Sequence, residues 1–231
     1  MSELNSIPKC EGCSYKLLLF ESLPEKNLER ISACKQQYLF KKGEQVISEG
    51  DEINSIVYLQ KGLIKLYKNI PNGKTQIISI ARPYEFVGLL SVFSNSNYIY
   101  SISAIEDSHI CFIDMPCIKD EIKEIGTFAL DIIKKMSKIT DDVLNAKYEL
   151  CKKNLRGRIA YTLLDLAQHI YKDNEFELPV SRREIADLID MRTENVIRIL
   201  SEFRKDKIIK INGPIIEIIN MDLLKKISLA G

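Results

Sequence analysis

A chain of 231 residues with 45% hydrophobic side chains and a formal net charge of +1 can form two modest domains with real cores. It is too evenly charged to be a polycation that coats nucleic acid. No apolar run approaches the length of a bilayer span, and the opening MSELNSIPKCEGC lacks the apolar core of a secretion signal, so the expected location is the cytoplasm.

In that compartment the six cysteines read as thiols or ligands rather than disulfides. Residues 1 to about 20 form a lead-in with Cys10 and Cys13, and a helix is expected around Leu17 to Leu19. Residues 38 to 114 carry short β-rich runs: Tyr38–Phe40, Ile56–Leu59, Leu63–Tyr67, Gln76–Ile80, Ile99–Ala104 and Ile110–Ile113. Turn signals at Lys42-Gly43, Glu49-Gly50-Asp51, Lys61-Gly62 and Pro71-Asn72-Gly73 separate them, a pattern that means a sandwich or barrel.

From about Ile118 to Lys153 the apolar period becomes helical. Ile125, Phe128, Ala129, Ile132, Met136, Ile139, Val143, Ala146 and Leu150 make a near-heptad stripe, interrupted only by Gly126 near its start. Such a stripe runs further than one small β domain can cover, which favours a dimerisation helix over a core helix of that domain. Another helix is expected over Arg156 to Ile170.

The stretch SRREIADLIDMRTENVIRILSEFRKDKIIK, residues 181 to 210, reads as two short helices joined by a turn. Ser181 with Glu184 three residues on is a capping box. Val196, Ile199, Leu200 and Phe203 define the inner face of the second helix. Thr193, Glu194, Asn195, Ile197, Arg198 and Ser201 lie opposite, with side chains suited to base edges in a major groove. Two β-rich runs flank Asn212-Gly213, a hairpin signal, although Pro214 limits pairing at the turn. A helix–turn–helix followed by a hairpin is a winged DNA-binding module. Between residues 152 and 212 thirteen lysines and arginines face ten acids, a net of about +3 that suits a local DNA-binding patch.

In FKKGEQVISEGD (40 to 51), VYLQKGLIKLYK (57 to 68), PYEFVGLLSVF (83 to 93), SRREIADLIDM (181 to 191) and TENVIRILSEFRKDKII (193 to 209), the chain resembles the Crp/Fnr family of bacterial transcription regulators. The resemblance implies an α+β architecture in three parts. These are a cyclic-nucleotide-binding-type β-roll over residues 1–120, a long dimerisation helix over 121–153, and a winged helix–turn–helix over 154–231. It implies a homodimer on palindromic double-stranded DNA, with RNA polymerase as a further partner and no membrane. Glu194 and Arg198 match the positions that read a G·C pair, while Thr193 and Ile197 are placed to touch thymine methyls. Arg182 is the candidate phosphate contact, and Arg192 departs from the usual Ser or Thr helix cap.

The resemblance also bears on the signal. Glu85 and Gly88 keep the start of the cyclic-nucleotide cassette, but Tyr98 stands where a phosphate-binding arginine is expected. Without that charged partner the anionic phosphate forfeits its hydration, which argues against cyclic AMP. Cys10, Cys13 and Cys111 match three of the four thiolates that hold an iron–sulfur cluster in the oxygen-sensing branch, and Leu19 occupies the fourth place. Neither Cys34 nor Cys117 has the spacing to replace it, so buried apolar thiols are the favoured reading for the cysteines, and no metal is assigned to His109 or His169.

No glycine-rich phosphate loop or nucleophile elbow supports an enzyme. The competing class is a cyclic-nucleotide-type ligand-binding module whose helical end makes protein contacts. The wing and Arg198 speak for DNA instead.

Overall fold

The computed structural model describes residues 2–3, 20, 23–71, 74–94 and 96–231. The helix expected around Leu17 to Leu19, Cys10, Cys13 and the Asn72-Gly73 part of one turn signal lie outside the described residues. The chain divides into two units: residues 1–68 with 78–142, and residues 69–77 with 143–231.

The first unit is built on two antiparallel layers. Its strands are β1 (Ser2–Glu3), β2 (Lys35–Phe40), β3 (Gln45–Ile47), β4 (Ser55–Lys61), β5 (Ile64–Ile70), β6 (Lys74–Ala81), β7 (Glu85–Val87), β8 (Ser101–Ala104) and β9 (Ser108–Asp114), with the end of β5 from Asn69 and the start of β6 up to Ile77 falling in the second unit. One sheet has the order β1-β2-β9-β4-β7 and the other β3-β8-β5-β6. Central strand β4 is buried from Ile56 to Gln60, so alternation is lost where packing covers both faces. Gly62 makes its turn with φ +88°, and a Cβ there would lie 2.4 Å from the Ser108 hydroxyl and 2.5 Å from the Asp107 carbonyl. Only glycine fits that approach.

Helix α1 (Glu25–Ala33) buries Leu28 and Ile31, and α2 (Met115–Glu124) buries Met115 and Ile118. They share a core with Phe20, Tyr58, Phe86, Cys111 and Ile113. The single long helix expected from the periodicity is two. Ile125 adopts extended backbone (φ −125°, ψ 97°), and α3 (Gly126–Cys151) starts afresh at Gly126, the residue with least helical preference in the stripe.

The stripe itself also divides. Phe128 and Ile132 are buried in the β-roll's own core, with Ile125, Met136 and Ile139 packed against it. A different row stays exposed, Leu130, Ile133, Leu144 and Tyr148, and so does Val143 further along the stripe. The upstream half of the stripe is thus a core seam, and the exposed apolar row lies on the adjoining face.

The second unit continues with α4 (Leu155–Asp165), which runs into a π-helical turn over Leu166–Tyr171. Next come β10 (Glu175–Glu177), α5 (Arg182–Leu188), α6 (Thr193–Lys205), β11 (Ile209–Asn212), β12 (Ile215–Ile218) and α7 (Met221–Ala230). The expected hairpin is present, with Asn212 paired to Ile215 around Gly213 at φ +60°. Pro214 does not interrupt it, because it lies in the turn between the paired Asn212 and Ile215, where its missing N–H is not needed for the ladder, and its carbonyl accepts from the Leu178 N–H at 2.9 Å. The third strand, β10, extends the wing to the order β10-β12-β11.

Candidate nucleic-acid interface and sensor region

The capping box expected at Ser181 is formed. The Ser181 hydroxyl accepts from the Glu184 N–H at 3.2 Å, and the Glu184 carboxylate accepts from the Ser181 N–H at 2.9 Å. Such a cap contributes about 1 kcal/mol to the helix it starts. The turn that follows uses Asp190 at φ +53°, a left-handed conformation that aspartate tolerates better than most residues. Arg158 of α4 ties this turn down by donating to the Ile189 carbonyl at 3.2 Å and the Asp190 carbonyl at 3.4 Å.

Helix α6 therefore leaves the turn in a fixed direction, and its buried side is the expected set Val196, Ile199, Leu200 and Phe203. Glu194, Ile197 and Arg198 are exposed on the other side, and Thr193 and Asn195 are half-buried at the helix start. Arg192 is the N-cap and makes no side-chain cap bond, so the first turn is held by backbone alone. Glu194 lies in that first turn, where a carboxylate opposes the positive end of the helix dipole. Arg182 opens α5, half-buried.

The structure also shows residues that the sequence alone did not single out. Arg198 donates to Glu202 at 2.5 Å, and Glu202 also takes Arg156 of α4 at 2.5 Å. Burial pushes the Glu202 carboxyl up, but the hydrogen bonds and charges of Arg198 and Arg156 outweigh it and hold it below the usual range. An Arg four residues before a Glu on one helix was the available signal for the first pair. Nothing local announced Arg156.

In the β-roll, Gly88 and Tyr98 do come together. A Cβ on Gly88 would lie 3.3 Å from the Tyr98 ring and 2.8 Å from the Tyr100 hydroxyl. Tyr98 and Tyr100 are only 4% and 7% exposed, and their ring centroids are 6.1 Å apart. Tyr98 donates to the Ser55 carbonyl at 3.2 Å, Tyr100 is hydrogen-bonded with Ser91, and burial raises both phenols, Tyr98 well above the ordinary range. Both rings are packed as core.

Glu85 does not join them as a free acceptor. Its carboxylate turns back to the Arg82 N–H at 3.1 Å, closing its own turn. Burial raises its pKa, an effect that the Arg82 hydrogen bond and charge only partly offset.

The cysteines require a correction. Cys34 and Cys117, expected as buried thiols, are bonded to each other, with Cα atoms 6.6 Å apart across 83 residues of sequence. Cys34 caps the end of α1 and Cys117 lies in the first turns of α2. The two packed helices bring them together. Arg30, one turn before Cys34, lies 3.3 Å from the buried carboxylate of Glu121, one turn after Cys117. Asn27 donates to the same carboxylate at 2.6 Å. Cys111 is buried, and its sulfur accepts from Gln37 at 3.2 Å.

A cluster needs four thiolates. Of the candidate ligands, Cys111 is among the described residues and Cys10 and Cys13 lie outside them, while Cys34 and Cys117, which lack the spacing to replace the missing ligand, are bonded to each other. No group of three or more His, Cys, Asp or Glu among the described residues is arranged for a metal ion. Of the histidines, His109 is half-buried on β9, while His169 is exposed and 2.9 Å from Asp165.

A two-layered β-roll followed by a winged helix–turn–helix defines a class of transcription regulators in which one domain carries the signal and the other the DNA contacts. Comparison with known proteins agrees. Residues 38–124 match the cyclic nucleotide-binding domain and residues 157–227 the Crp-like helix-turn-helix domain. The transcriptional activator protein Anr of Pseudomonas protegens is 28% identical over 96% of this chain and 92% of its own length. The fumarate and nitrate reduction regulatory protein of Vibrio cholerae is 25% identical over 91% of this chain and 86% of its own. The structure of FixK2 from Bradyrhizobium japonicum superposes with a TM-score of 0.76 at 20% identity, covering 84% of this chain and 97% of that one. The chain belongs to the Crp/Fnr family of transcription regulators. Among the described residues no helix is long and apolar enough to cross a membrane.

Proposed function

We propose that the protein works in the cytoplasm as a homodimer that reads a palindromic DNA site through α6, with RNA polymerase as its further partner. The observation that carries this reading is the division of α6 into a fully buried apolar face and an exposed face bearing Glu194, Ile197 and Arg198. Arg198 reads guanine O6 and N7, Glu194 accepts from the paired cytosine, and Thr193 and Ile197 touch thymine methyls. Arg182 and the N-terminal turn of α5 hold the phosphate backbone. Two copies joined along α3 set the recognition helices about one DNA turn apart. The exposed Leu130, Ile133, Leu144 and Tyr148 supply that contact.

The β-roll is not a cyclic AMP receptor in this reading. Two tyrosine rings occupy the space beside Gly88, and Glu85 is committed to its own turn. Enrichment of random duplexes on the purified protein tests the whole proposal. An inverted repeat with a G·C pair in each half is expected. Enrichment of no motif, or a monomer in light scattering at micromolar concentration, overturns it. Leu144→Glu should convert the dimer to monomer, since the seam cannot accept an unpaired charge.

A further inference from the structure

We infer that Glu202, braced by Arg156, is the residue that positions Arg198 for base recognition and thereby sets the chain's sequence discrimination. The inference rests on the reading of Arg198 as the guanine-contacting side chain.

Glu202 uses its two oxygens on two different arginines: Oε1 takes Arg198 and Oε2 takes Arg156. Arg156 is itself held from three sides. It bonds Glu202, it reaches Asp206 at 3.3 Å, and its guanidinium carbon lies 5.0 Å from the ring centroid of Phe203. Phe203 is fully buried, so the stack rests on the domain core rather than on a mobile side chain. The brace therefore runs from the core through Arg156 to Glu202 and out to the exposed Arg198.

An exposed arginine left alone samples many rotamers, and ordering it on a base costs side-chain entropy. A carboxylate anchored from behind removes much of that freedom before DNA arrives. The guanidinium has five N–H donors, and Glu202 is bonded to only one of its nitrogens. Enough donors remain for the two parallel bonds to guanine, so the brace persists when the base is read. The same carboxylate carries negative charge beside the DNA backbone, which disfavours binding that lacks the guanine contact.

Glu202→Gln separates these roles from folding. A glutamine replaces one of the two carboxylate oxygens with an NH2 donor and removes the charge, so it cannot offer a separate oxygen to each guanidinium group. The measurement is the ratio of affinities for the selected site and for the same site with the Arg198-contacted G·C pair replaced by A·T. It is made for wild type, Glu202→Gln, Arg156→Ala, Arg198→Ala and the Glu202→Gln/Arg198→Ala double variant, each first shown by thermal melting to be folded.

Glu202→Gln is expected to lower the ratio roughly five- to tenfold, the size of a coupling between contacting residues. It should leave discrimination at other positions unchanged and raise affinity for random duplex about twofold, through loss of one negative charge near the phosphates. Arg156→Ala should lower the ratio in the same direction. In the Arg198→Ala background, Glu202→Gln should leave the ratio unchanged.

If Arg198→Ala abolishes discrimination while Glu202→Gln preserves it, Glu202 is a surface ion pair and the inference fails alone. If Glu202→Gln lowers discrimination equally at every position, or still does so without Arg198, its effect is general and the inference fails. If Arg198→Ala leaves the ratio intact, the placement of the recognition helix falls and takes this inference with it.

Discussion

The β-roll and the winged helix differ in what they do with their polar side chains. At the place where the family's first domain would meet a nucleotide, Tyr98, Tyr100 and Glu85 are turned inward and bonded to the protein's own groups. On α6 the polar residues face outward, and the bond from Arg198 to Glu202 leaves donors of the arginine spare. A side chain whose bonding capacity is consumed by the fold supports structure. One held in position with capacity left over is ready for a partner.

That contrast can be broken most severely at Tyr98. Tyr98→Ala deletes a buried ring and should cost about 3–5 kcal/mol of stability, measured by denaturant unfolding, while the folded fraction keeps its DNA affinity. Tight cyclic AMP binding by the wild type in calorimetry would show that the rings yield to a ligand, and the contrast would collapse. On the other side, Arg198→Ala should cost about 1–3 kcal/mol of specific DNA affinity and leave the unfolding midpoint nearly unchanged. A comparable loss of stability would mean that α6 is part of the core on both faces.

The smallest effect concerns Glu85. Burial raises its folded pKa, so the folded state binds the proton more tightly than the unfolded chain does. Stability from this group therefore falls as pH rises through that raised value, and holding the charge is a penalty at neutral pH. Glu85→Gln should be the more stable protein at neutral pH, with the difference shrinking as pH falls toward the ordinary glutamate range. Unfolding curves at several pH values check the sign, and an advantage that grows on acidification would contradict it.

Features carried by neighbouring residues were legible from sequence. The Ser181–Glu184 cap, the apolar face of α6 and the Asn212-Gly213 hairpin all formed where local spacing put them. Strands β3 and β7 have three residues each, too short for an alternation to show. The helical stripe before residue 151 was visible, but its assignment to one surface was not. Phe128 and Ile132 point into the domain, whereas Leu130 and Ile133, two residues and one residue away, stay outside. Periodicity reports that a face is apolar and is silent on what covers it.

In the proposed site, Arg198 and Glu194 could be placed from the sequence of α6 itself. Arg156 lies 46 residues before Glu202 and met it only through the packing of α4 on α6. The same holds for Tyr100 beside Gly88 and for Cys34 beside Cys117, pairs made by tertiary folding alone.

The bond between Cys34 and Cys117 makes the β-roll a closed ring of chain. All of β2 through β9 lies inside the ring, while α1 with the polypeptide before it, and the chain after Cys117 including the whole of α3, leave it as two tails. A protease that cuts one exposed loop within the ring, such as Lys41-Lys42, opens it without releasing a fragment. Under non-reducing conditions the nicked protein should still migrate as one piece, and a reductant should split it in two.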